Sequence, residues 1–224
     1  MNDRGARDVS FRVDTLIAAW ENLRWWLEDA FEALRAGADA WCRSRDGWWL
    51  RAVFSLYLLY AGLRTLADPS YATAFGGLTF ALHELGHVLC SWFGEGCMIA
   101  GGTGLQLFAP MAAGFHLIWT QRDYFGLCVC VSWLGFSLHD ASVYIGDARA
   151  QALPLIGLGD NVIHDWHYLL SRAGLLEWDG VLASAVAGVG VLAWATSCAA
   201  AVWLCWRIRA HRATRFTLFK RPGP

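Results

Sequence analysis

His83-Glu84-Leu85-Gly86-His87 sets two imidazoles four residues apart, with a carboxylate directly after the first. On a helix that spacing stacks both rings on one face, where they can reach one cation. A divalent metal takes neutral imidazole nitrogens and lowers the pKa of bound water to about 7. Glu84 stands where it can hydrogen-bond that water, take its proton as general base and pass it to a leaving amine. The segment around the motif is otherwise apolar. Ionisable groups at such depth cost about 2–3 kcal/mol each on insertion scales and by default mark function.

Zinc needs a third protein ligand and, for catalysis, an open fourth position. Asp140 leads on depth. It lies sixteen residues beyond Tyr124, and His87 lies fifteen beyond Ala72. These two apolar segments are the second and fourth and so run parallel, which brings Asp140 and the histidines to a similar level at 1.5 Å per residue. His139 would face elsewhere and suits packing or a hydrogen bond. Asp147 is the second choice on that helix, or a helix-end carboxylate paired with Arg149. His164 and Asp165 belong to a loop emerging on the side of the site and suit a second shell or an alternative ligand. Asp165 also suits a helix N-cap. Asp179 reads as a cap, and His116 as a satisfied buried histidine.

The elements that must hold these residues are helical. Residues 1–47 form an arm in which Leu16, Trp20, Leu23, Leu27, Phe31 and Leu34 recur at spacings of three and four, with Trp25 and Trp26 widening the face. Such a helix lies on the bilayer surface, against partner membrane subunits, or on its own membrane domain. Residues 48–206 hold five apolar segments, at about 48–66, 72–93, 105–120, 124–145 and 180–206. Trp48 and Trp49 suit an interfacial belt, and Arg51 and Arg64 can snorkel. Residues 99–104 read as an irregular or extended connection. Gly76, Gly77, Gly101, Gly102 and Gly104 are candidates for unwound backbone admitting water. The polar cluster from Asp160 to His167 leads into a short helix that Gly174 could close. In the last segment Ala183 with Ala187, and Ala195 with Ala199, offer close helix approach. Residues 207–224 are a basic tail with Arg207, Arg209, Arg212, Arg215, Lys220 and Arg221.

Composition agrees. Of 224 residues, 56% are hydrophobic and fourteen are tryptophan, with a mean hydropathy of +0.34. That is too little polar surface for a soluble domain. The expected fold class is therefore an all-α, polytopic helical membrane protein with about five transmembrane helices and an N-terminal amphipathic helix. The expected setting is a bacterial inner (cytoplasmic) membrane, crossed several times. No basic stripe outside the two ends supports nucleic-acid binding. The seven cysteines form no C-x-x-C pair and read as small buried residues. Residues 1–12 are polar and charged, so no cleavable leader is expected. Both ends carry arginines and compete under the positive-inside rule, leaving orientation open.

The stretch Leu82-His83-Glu84-Leu85-Gly86-His87-Val88, followed by Gly94 and two further apolar segments, resembles the site-2 protease family of intramembrane zinc metallopeptidases. The resemblance covers roughly residues 72–146. It implies Zn2+ held by His83 and His87 with an aspartate from a later span, Glu84 activating water, and cleavage of a membrane protein or peptide substrate. The family's second motif, an Asn and a Pro followed by Leu-Asp-Gly, has no full match. Ser137-Leu138-His139-Asp140 is a loose counterpart, and Trp178-Asp179-Gly180 repeats its Asp-Gly one span later. Two other classes stay open: a non-catalytic membrane subunit on the same fold, favoured by the amphipathic arm, and a metal or proton transporter. The transporter needs a polar path that residues 180–206 barely contribute to.

Overall fold

In a computed structural model, the structure describes residues 3–154 and 163–219, with side chains described over 16–154 and 163–215. Asp160, Asn161 and Val162 of the polar cluster, and Lys220 and Arg221 of the tail, lie outside the described residues. The chain separates into two units, Met1–Arg45 and Asp46–Pro224.

The first unit is helix α1 (Asp3–Arg43). Its apolar positions follow the helical repeat, and Trp20, Trp25, Trp26 and Phe31 are each about two-thirds exposed. Arg24 and Glu28 pair one turn apart on the polar side at 2.9 Å, an exposed contact of small energetic weight.

The second unit comprises α2 (Trp48–Ala67), α3 (Gly76–Cys90), α4 (Glu95–Gln121), α5 (Tyr124–Gly146), α6 (Asp165–Ala173) and α7 (Asp179–Phe219), with single 3-10 turns at Ser91–Phe93 and Leu176–Trp178. Among the described residues there is no strand, so the chain is all-α. Three segments are long and apolar enough to cross a membrane: Trp48–Ala67, Tyr124–Gly146 and Leu176–Arg215. The expected second and third spans are not among them. With fifteen residues, α3 extends only about 22 Å against a hydrocarbon core of about 30 Å. The 27 residues of α4 suffice in length, but its glycines, Gln106 and His116 dilute its hydropathy.

Residues 99–104 are regular helix inside α4, not the irregular connection their glycines suggest. Those glycines serve helix packing. A Cβ on Gly86 of α3 would run into the Gly101 carbonyl, and one on Gly101 would lie 2.7 Å from the Cys90 thiol sulfur. The backbones of α3 and α4 therefore touch directly, which only glycine permits. The turn between them sits at Gly94, with φ of 93°, in a region that side chains rarely adopt.

Along α5 and α7, Gly135 and Gly190 face each other's carbonyls, and the Ser132 and Ser197 hydroxyls hydrogen-bond at 2.7 Å. The buried stripe of α7 runs through Gly190, Trp194, Ser197 and Ala201, while Ala195 and Ala199 are exposed. Of the small residues the sequence singles out, Ala183 packs against the Ile145, Ala148 and Leu170 cluster, while Ala195 and Ala199 fall on the wrong face. Trp194 also packs with Leu58, Ala61 and Phe136, and its indole N–H donates to the Leu58 carbonyl at 3.0 Å. A Cβ on Gly62 would meet this indole ring. Gly62→Ala is expected to destabilise the unit by about 1–3 kcal/mol through overpacking. Thermal unfolding in detergent checks this, with Gly77→Ala as control because nothing lies within 4 Å of a Cβ there. Equal melting of the two variants would contradict the packing account.

A second apolar cluster docks α6. Leu170 packs with Ile145 and Ala148 and is flanked by Trp166, Leu176, Leu182 and Val186. Gly174, with φ of 67°, closes α6 as its C-cap, as the sequence suggests.

Candidate metal centre

Both motif histidines point from α3 toward α4 and α6. The Nε2 of His83 lies 3.1 Å from Oδ2 of Asp165, and the Nε2 of His87 lies 3.3 Å from the same oxygen. One donor atom from each of the three residues lies within 4.8 Å of the others. In a tetrahedral zinc site with bonds of about 2.0–2.1 Å, neighbouring ligand atoms stand about 3.3 Å apart. The Asp165–histidine spacings match that value.

The rings are held from behind. Nδ1 of His87 lies 2.9 Å from the Met98 carbonyl, which can only accept, so that nitrogen carries the proton and Nε2 keeps its lone pair when the ring is neutral. Nδ1 of His83 lies 3.0 Å from Oε1 of Gln106. Outer partners of this kind orient histidine ligands in metal sites. A carboxylate oxygen facing two imidazole nitrogens requires positive charge between them, either ring protons or a cation. Space for a cation exists because Gly102 has no side chain. A Cβ there would sit 2.6 Å from Nε2 of His87 and 2.8 Å from Nε2 of His83. The donor set of two imidazoles and one carboxylate, with an emptied position beside it, fits zinc.

Asp165 is the first residue of α6, and His164 is its N-cap. His164 is buried and fully used in this role. Its Nδ1 accepts from the His167 backbone N–H at 3.2 Å, and its Nε2 lies 3.3 Å from Oδ2 of Asp147. Because His164 caps the helix, the Asp165 carboxylate is free to turn inward. Tyr144 of α5 steadies the same corner: its ring lies 4.3 Å from that of His164, and its hydroxyl accepts from the Asp165 N–H at 3.1 Å. Burial pushes the Asp165 carboxyl up, but its contacts with His83 and His87 outweigh this and hold it below the usual value. It is thus ionised, the form that binds metal. Asp147 behaves likewise. Burial raises it, while the Leu153 and Ala152 amides and His164 bring it below the usual value.

The other expected residues fall elsewhere. Asp140 is on the exposed side of α5 and outside the His83–His87–Asp165 group. The depth argument addressed only its level along the helix and carried no information about its direction around the axis. His139 points into a pocket lined by Gly62, Thr65, Phe136, Gly190 and Trp194, where its Nε2 is buried without a hydrogen-bond partner. Arg149 pairs with Asp179 at 2.7 Å and with Glu177 at 3.2 Å, rather than with Asp147. His116 is exposed, not buried. Glu84 is half-buried beside the histidines, close enough to His87 and Tyr144 for its charge to act on both. Gln106, Tyr144 and the Met98 carbonyl were not anticipated. For Gln106 the signal was available, since an amide inside an apolar helix must find a partner. No family model, no curated protein and no solved structure matches this chain.

Proposed function

We propose that this chain is a membrane-embedded zinc metallopeptidase of the site-2 protease type, hydrolysing a peptide bond in a membrane-associated substrate. The observation that carries this reading is the convergence of His83, His87 and Asp165 on one point beside Glu84. Three protein ligands leave a fourth position open, the pattern of catalytic rather than structural zinc sites. The ion would supply Lewis-acid polarisation of a scissile carbonyl.

The chain's own residues would do the rest. Glu84 accepts a proton from the attacking water and returns it to the leaving amine. Its position on α3, one residue after His83, ties the base rigidly to the ligand pair. Tyr144 and His164 hold the start of α6, so that Asp165 keeps its direction. Exposed Gln151, just past the end of α5, lies 3.0 Å from His167 in α6 and would favour water access from that end, without any unwinding of α4. The three apolar segments long enough to cross a bilayer support a multi-pass setting.

The purified chain is expected to hold about one zinc, lost in the His83→Ala/His87→Ala double variant. Glu84→Gln is expected to keep the zinc and to slow cleavage of a quenched transmembrane peptide in detergent about 10²–10⁴-fold. Cleavage at the parent rate by Glu84→Gln would remove Glu84 as the base, and absence of zinc from the parent would sink the enzyme reading. A non-catalytic subunit is the second reading. It is favoured by the exposed apolar face of α1, and it predicts stoichiometric partner chains on purification together with no cleavage.

A further inference from the structure

We infer that Gln106 is a positioning residue that sets the tautomer of His83 and so commits its Nε2 to a cation. The chain of reasoning starts at a backbone group. The Ser137 carbonyl of α5 can only accept a hydrogen bond, and the Gln106 side chain meets it at 3.0 Å through Nε2. The amide therefore presents its N–H to α5, which leaves Oε1 facing α3. That oxygen can only accept, and Nδ1 of His83 lies 3.0 Å from it. Nδ1 thus carries a proton, and in the neutral ring Nε2 keeps its lone pair for a cation shared with Asp165 Oδ2, 3.1 Å away.

An amide flip would place Oε1 against the Ser137 carbonyl, acceptor on acceptor, at a site where Gln106 is only 5% exposed and no solvent can relieve the mismatch. The orientation is consequently imposed from α5 through α4 onto α3. His87 reaches the same tautomer through the Met98 carbonyl, without a side chain. Both rings are held in the Nδ1–H form, the minor tautomer of free histidine. That Nδ1 carries a proton follows from the hydrogen bonds alone, while a bare Nε2 needs a cation in place of a second ring proton and so rests on the proposed function.

The test keeps these two apart. In the full-length, metal-free Asp165→Asn chain, where no carboxylate competes for a proton on Nε2, 15N chemical shifts of the neutral imidazoles are expected to report Nδ1–H at both His83 and His87. Adding Gln106→Leu is expected to return His83 alone to Nε2–H. An Nε2–H form at His83 before that change, or no response to it, overturns the proposal whether or not zinc binds. In the chain with Asp165 intact, Gln106→Leu is expected to weaken zinc about 10–100-fold, as loss of an outer partner does elsewhere. Gln106→Glu, which as a buried neutral carboxylic acid can donate to the Ser137 carbonyl and still accept from Nδ1, is expected to stay within a few-fold of the parent. Equal weakening by Leu and Glu would reduce Gln106 to packing and overturn the proposal. If the parent binds no zinc, the proposed function falls and the 15N result alone decides the tautomer.

Discussion

Asp165→Ala is expected to strip the chain of zinc, while Asp140→Ala leaves it loaded. The sequence places Asp140 at about the height of the histidines and Asp165 in a loop emerging on their side, so the pair of variants separates direction from depth. Asp165 presents Oδ2 to both Nε2 atoms, at 3.1 and 3.3 Å, and its loss removes the carboxylate oxygen that both rings share. Removing an outer partner of a metal ligand costs about 10–100-fold in affinity, so removal of a direct ligand should exceed about 100-fold. Asp140 belongs to the exposed side of α5 and lies outside the group. Zinc content after dialysis against a chelator, with circular dichroism to establish that each variant is folded, reads the outcome. Zinc retained by Asp165→Ala, or lost from a folded Asp140→Ala, would reverse the assignment of the third ligand.

Gly102→Ala is expected to abolish zinc binding although it adds one methyl group. The new carbon would stand 2.6 Å from Nε2 of His87 and 2.8 Å from Nε2 of His83, well inside van der Waals contact and in the space a cation would take. Neither ring can withdraw easily, because each is tied through Nδ1 to α4. Gly104→Ala is the matched control: it lies on the same helix, and nothing is within 4 Å of a Cβ there. Replacing glycine by alanine in a helix interior favours the helix by up to about 1 kcal/mol, so the control should melt at or above the parent temperature and bind zinc normally. If Gly102→Ala binds zinc like the parent, the cation site is not where the three donors point.

Much of this molecule is written locally. The spacing of His83 and His87 places both rings on one face of any helix that includes them, and Glu84 accompanies them without help from the rest of the chain. The ends of α2 and α5 were legible for the same reason, since apolar runs bounded by Asp68-Pro69 and by Arg122-Asp123 leave little freedom for where a helix starts or stops. Gly174 closes α6 because the αL position there favours a residue without Cβ.

What the sequence could not express is direction around a helix axis and contact across long separations. On paper Asp140 leads by depth and Asp165 is an alternative that also suits a helix cap. Asp165 instead meets the histidines because Leu170 docks α6 against Ile145 and Ala148, His164 takes over the capping that Asp165 could have done, and Tyr144 holds the first turn. The glycines of α4 misled for a related reason. Read along the chain they resemble a loop, yet helix–helix contact turns them into the face that lets α3 come close. The grouping of His83 and His87 on one helix face with Glu84 beside them was therefore determined by the sequence alone. Its third donor, its outer partners and the space beside it were decided by tertiary packing, because each depends on which faces of separate helices meet.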